Sequence, residues 1–113
     1  MKTVSFVVHA IPPYKQSPAD AIEKRHQTQR VKACQDGAKE GFANQDIIDA
    51  PCSVSIRYSR AKGKSDGANI IGGVLDSLQG IAFENDNQVI EISYAEFKGA
   101  EDWYQVTITE VMR

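Results

Sequence analysis

Val54, Ile56 and Tyr58 alternate with Ser53, Ser55 and Arg57, and further on Ile70, Ile71, Val74, Leu75 and Leu78 recur at helical spacing. This change of hydrophobic period dictates a strand followed by a helix, each burying one face. An all-helical or all-strand fold would not produce it.

The same two patterns extend outward. Thr3 to Ile11 reads as a strand rich in β-branched residues, ended by Pro12-Pro13. In Ser17-Pro18-Ala19-Asp20, Ser17 is the expected helix cap and Pro18 the first helical residue. That helix should run to about Ala43, burying a stripe of Val31, Cys34, Ala38 and Phe42. Asp66 is placed to cap the second helix, and Gly80 closes it. Gly72 and Gly73 inside it cost roughly 1 kcal/mol each relative to alanine, so another backbone is expected to pack closely there. Val89 to Phe97 and Trp103 to Val111 read as two more strands, joined by a polar turn from Lys98 to Asp102 and expected to form an antiparallel hairpin. The order β-α-β-α-β-β predicts an α+β fold, a small mixed β-sheet with two helices packed on it. At 113 residues, a single domain over 1–113 is expected.

No apolar run approaches the ~20 residues of a membrane helix, and Val4 to Ala10 lacks the features of a secretion signal. A cytoplasmic protein with no membrane partner and with Cys34 and Cys52 reduced is therefore expected. His9 and His26 are not at metal-ligand spacing with a cysteine, which argues against structural zinc. The net charge of −2 conceals an asymmetry. Residues 1–64 carry a net +5 and residues 65–113 a net −7, which predicts separate basic and acidic surfaces.

Gly63-Lys64-Ser65 fails as a phosphate-binding loop, because Tyr58 stands where the motif requires its first glycine. What remains is carboxylate chemistry beside a basic loop, Arg60 to Ser65. Asp66 and Asn69 lie at a helix start and Asp86 lies in Glu84-Asn85-Asp86-Asn87-Gln88, oxygen ligands of the kind that suits Mg²⁺. Helix two is about 20 Å long, and the stretch from Gly80 to Asn87 can span ~26 Å, so Asp86 can return to Asp66. Asp76, ~15 Å along the helix from Asp66, joins them less easily. By themselves, Asp66 reads as a helix cap and Asp86 as a turn residue.

The stretch Asp66-Gly67-Ala68-Asn69, then Asp76-Ser77-Leu78, then Asn85-Asp86-Asn87-Gln88-Val89 resembles the signature of the RusA-type Holliday junction resolvases. That pattern reads D-x-D-N-x-x-K-x-x-x-D-x-L, followed by D-D-x-Q-V/I. The opening strand with Pro12-Pro13 and the closing Val106 to Glu110 also fit the family's layout. The resemblance implies a homodimeric, Mg²⁺-dependent endodeoxyribonuclease, with Mn²⁺ as a substitute, that cuts four-way DNA junctions and is often phage- or prophage-encoded. It assigns Asp66 and Asp86 as metal ligands, and Asn69 and Asp76 as further catalytic positions.

Two positions depart from the pattern. Ala68 stands for the second metal-binding aspartate, and Gly72 for the lysine of the catalytic helix. Asn69, Glu84 or Glu91 could replace the lost ligand, and Lys62 or Lys64 the lost cation. Arg57, Arg60, Lys62 and Lys64 are the candidate DNA-backbone contacts. Lys24, Arg25, Arg30 and Lys32 form a second basic group on helix one. The rival expectation is a non-catalytic junction-binding protein with a degenerate site.

Overall fold

A computed structural model describes residues 2–111. Its elements are β1 (Thr3–Val8), α1 (Ala21–Gly41), β2 (Cys52–Arg60), α2 (Gly67–Leu78), β3 (Val89–Lys98) and β4 (Trp103–Glu110). They make one four-stranded mixed sheet in the order β1-β4-β2-β3. The fold is α+β, with the element order read from the sequence.

The core lies on one face of the sheet. Val4, Phe6 and Val8 of β1, Val54, Ile56 and Tyr58 of β2, and Tyr104, Val106 and Ile108 of β4 are all buried there. Cys34, Ala38 and Phe42 from α1 and Ile70, Val74 and Leu78 from α2 join the same cluster. Both cysteines are free and buried. Burial pushes the Cys34 thiol up to about 11, so it behaves as a small core residue rather than a nucleophile. The opposite face is polar, with Ser5 and Thr107 hydroxyls in mutual contact at 3.1 Å.

Three expectations change. Helix α1 starts at Ala21, and Asp20 rather than Ser17 caps it, accepting from the Glu23 N–H at 2.8 Å. Pro18 therefore lies before the helix. The last two strands do not form a hairpin, because β2 lies between them, parallel to β3 and antiparallel to β4. Burial explains this order. Strand β2 has apolar residues that need a neighbour on each side, whereas β3 carries Glu91, Glu96 and Lys98 and suits an edge. The Lys98–Asp102 connection steps over the end of β2, fixed by the Gly99 N–H donating to the Arg60 carbonyl at 3.0 Å. Finally, residues 79–88 do not run back along α2. Gly80 N–H donates to the Phe83 carbonyl at 2.7 Å and Ile48 N–H to the Ala82 carbonyl at 2.9 Å, folding the segment at the helix's C-terminal end.

The close packing expected at Gly72 and Gly73 is present, and its partner is the segment after β1. A Cβ on Gly73 would lie 2.5 Å from backbone atoms of Pro13 and Tyr14. On helix propensity alone, Gly73→Ala would stabilise by roughly 1 kcal/mol. The clash should dominate, with a net loss of about 1–3 kcal/mol, seen as a lower urea midpoint at unchanged slope. An unchanged or higher midpoint would show that the segment and α2 separate freely.

Candidate functional site

Residues at the C-terminal end of β2 are organised by one carboxylate. Asp102, from the β3–β4 connection, accepts from the backbone N–H groups of Ala61, Lys62 and Gly63 at 3.0, 2.8 and 3.2 Å. The Tyr58 hydroxyl donates to the same carboxylate. Burial opposes its charge, but these four donors outweigh burial and hold Asp102 at about 2, below its ordinary 3.8. The basic loop is thus a concave run of N–H groups closed around an internal anion.

Arg60 fixes the other side of the loop. Its guanidinium donates to both oxygens of Glu96 at 2.7 and 2.8 Å, and to the Gly63 and Ser65 carbonyls at 2.8 and 2.9 Å. It also stacks over the Tyr58 ring, 5.0 Å from its centroid. The Arg60 bonds, followed by one from the Tyr94 hydroxyl, bring Glu96 down to about 2. Arg60 is therefore committed to holding the loop. Lys62 and Lys64 are exposed on it and share a cleft with Glu23 and Arg30 of α1. That cleft joins the loop to one residue of the second basic group. Arg57 is exposed and lies between the buried-face residues Ile56 and Tyr58 of β2, so it belongs to the opposite face of the sheet.

Asp66 follows this loop and caps α2, accepting from the Asn69 N–H at 2.9 Å. Asp66, Asn69 and Asp76 recur at intervals of three and seven residues, which sets them along one helix stripe with Gly72 and Gly73. Lys15 lies over that stripe. Its N–H donates to the Asn69 carbonyl at 2.9 Å, and its ammonium is 3.7 Å from Asp76. Sequence reasoning missed Lys15 because Pro12-Pro13 marked only the end of a strand. The two helix glycines signalled a close approach without naming what approaches.

Asp86 is elsewhere. It opens a short 3₁₀ turn, Asp86–Gln88, capped by the Asn85 side chain. Gln88 anchors this turn to the start of β2, donating to the Ile48 and Ala50 carbonyls at 2.9 and 3.1 Å. Asp66 and Asp86 therefore lie at opposite ends of α2, whose 12 residues span about 18 Å. Among the described residues, no group of three His, Cys, Asp or Glu side chains is placed to hold a metal ion. Within one chain, then, Asp66 and Asp86 are too far apart to hold one cation together. Glu84 and Glu91 lie with Asp86 at the far end and cannot stand in at Asp66.

The family model described as "Endodeoxyribonuclease RusA" matches residues 4–109 of this chain. No curated protein matches it.

The Asp102 and Glu96 carboxylates titrate lower in the folded chain than their ordinary 3.8 and 4.5. Their contribution is complete above those ordinary values and is lost as pH falls toward about 2. Asp102→Asn should lower stability near neutral pH by on the order of 1–3 kcal/mol and flatten its decline below pH ~4. Urea midpoints across that range test this, and wild-type and variant curves of equal steepness would contradict it.

Proposed function

The chain belongs to the RusA endodeoxyribonuclease family, and from that premise we propose that it is a divalent-cation-dependent nuclease that cuts four-way DNA junctions as a homodimer. The family match over residues 4–109 carries this reading.

The separation of Asp66 from Asp86 supports the dimer. If both carboxylates serve one Mg²⁺, or Mn²⁺ in its place, they must come from different chains, because α2 holds them apart within one. The free edge of β3 is the surface proposed for that pairing. It is ten residues long, and Ile90 and Ile92 are each 45% exposed. Two copies of β3 side by side in antiparallel order set the start of one strand beside the end of the other. That places the Asp86 turn of each chain near the Asp66 end of its partner. Charge favours the same arrangement, since Glu84, Asp86 and Glu91 would approach Lys62 and Lys64. A C2 pair also supplies two equivalent sites, which suits a substrate with two-fold symmetry.

Lys62 and Lys64 are the loop cations proposed to meet backbone phosphates, with Arg57 reaching DNA only from the other face of the sheet. Arg60 serves by shaping the loop. Ala68, with no carboxylate where the family has one, favours the second reading, a protein that binds junctions without cutting them.

Incubation with a synthetic four-way junction and Mg²⁺ tests the proposal. Cutting is expected, abolished by chelation and reduced at least ~100-fold by Asp66→Asn with affinity kept. Replacing Lys62 and Lys64 together by alanine should flatten the salt dependence of junction binding by roughly two units of slope. Binding without cutting in either Mg²⁺ or Mn²⁺ would support the second reading instead.

A further inference from the structure

Lys15 is an exposed lysine whose stem and backbone are nonetheless fixed. Tyr14, beside it, is buried and donates its hydroxyl to Glu23 of α1 at 2.7 Å. Gln27 of α1 donates to the Tyr14 carbonyl, and Arg30 lies over the Tyr14 ring. On the other side, the Lys15 N–H is bound to α2 through Asn69. The Lys15 stem then lies along the bare backbone of Gly72. A Cβ on Gly72 would come within 2.9 Å of the Lys15 Cβ and 3.0 Å of its Cδ. Glycine at 72 and 73 is therefore what admits Lys15 onto the stripe between Asn69 and Asp76.

The ammonium remains available. Its ion pair with Asp76 is long at 3.7 Å, and the two side chains are 64% and 45% exposed. A pair of that kind is weak and is readily exchanged for a phosphate. Among the cations near the loop, Arg60 is occupied by Glu96, while Lys62 and Lys64 lie before the start of α2. Lys15 projects over the helix face at Asn69 and Asp76.

We propose that Lys15 donates to a DNA phosphate at the α2 face, supplying from the β1–α1 segment the positive charge that the helix itself lacks at Gly72. This rests on the nuclease reading for its catalytic consequence, and on DNA binding alone for the contact. Its effect is electrostatic: the ammonium offsets phosphate charge over the stretch of α2 from Asn69 to Asp76, and Asp76 loses only a weak partner.

The test compares wild type, Lys15→Ala, Lys15→Gln and the double variant Lys15→Ala/Gly72→Lys on the same four-way junction. Lys15→Gln keeps most of the stem that packs on Gly72, so it separates charge from packing. In the double variant, alanine keeps the Cβ at 15 that lies 2.9 Å from the new Cβ at 72, a contact the exposed segment must relieve by a small shift, while the rest of the Lys15 stem is gone. Both single variants should flatten the salt slope of binding by about one unit and slow cutting at saturating DNA by at least ~10-fold. The double variant should recover most of both losses. An unchanged slope in Lys15→Gln overturns the proposal whatever happens to cutting. So does a double variant that melts like wild type yet recovers neither loss. If wild type binds but never cuts, the nuclease reading fails, and the slope alone decides whether Lys15 meets phosphate.

Discussion

The Asp102 carboxylate ties together three parts of the chain that share no secondary-structure element. It receives the Tyr58 hydroxyl from the core face of β2, three successive N–H groups from the basic loop, and it belongs to the connection that carries the chain from β3 to β4. Without that anion, the loop's N–H groups would lack protein partners beside a core tyrosine. Arg60 and Glu96 perform the matching task on the other side, linking β2 to the edge strand β3. Since Asp66 follows the loop directly, the placement of α2 and of everything on its exposed stripe depends on these two charged clusters. The acidic residues that work hardest in the folded chain are therefore structural, and none of them was a candidate for chemistry.

Much of the fold was legible because burial and period agree. The alternation of Val54, Ile56 and Tyr58 and the helical spacing of Ile70, Val74 and Leu78 named β2 and α2 within a few residues. Asp66 capped α2 as its residue type and position required. The failures were of another kind. Asp20 and Ser17 are both good caps, and the sequence offers no local signal that chooses between them. Whether β3 and β4 pair directly is a question of which strand can tolerate an edge, and short connections favour the hairpin by default. The charges on β3 carried the answer, but only when weighed against the burial that β2 demands.

The candidate site was legible as a list of residue types and illegible as an arrangement. Chain length permitted Asp86 to reach Asp66, yet the hydrogen bonds of Gly80, Ile48 and Gln88 fold the intervening residues at the wrong end of α2 for that. Arg60 counts as a basic residue in sequence and is neutralised in the structure by Glu96, 36 positions away. No motif marks Lys15, two residues after the prolines, whereas its place against α2 is set by two glycines far along the chain. Contacts at such separations leave no trace in local pattern.

In the proposed dimer, a basic end formed by the loop and Lys15 meets an acidic end formed by residues 84–91. The most direct measurement mixes Asp66→Asn and Asp86→Asn proteins in equal amounts and follows nicking of a four-way junction. Each variant alone should be inactive. The mixture should regain about a quarter of the intact sites, because half of random dimers are mixed and each of those carries one complete pair. Activity in the mixture is what the shared site predicts. A mixture as inactive as its components, while wild type cuts and the subunits exchange, would place both carboxylates in separate roles and contradict it.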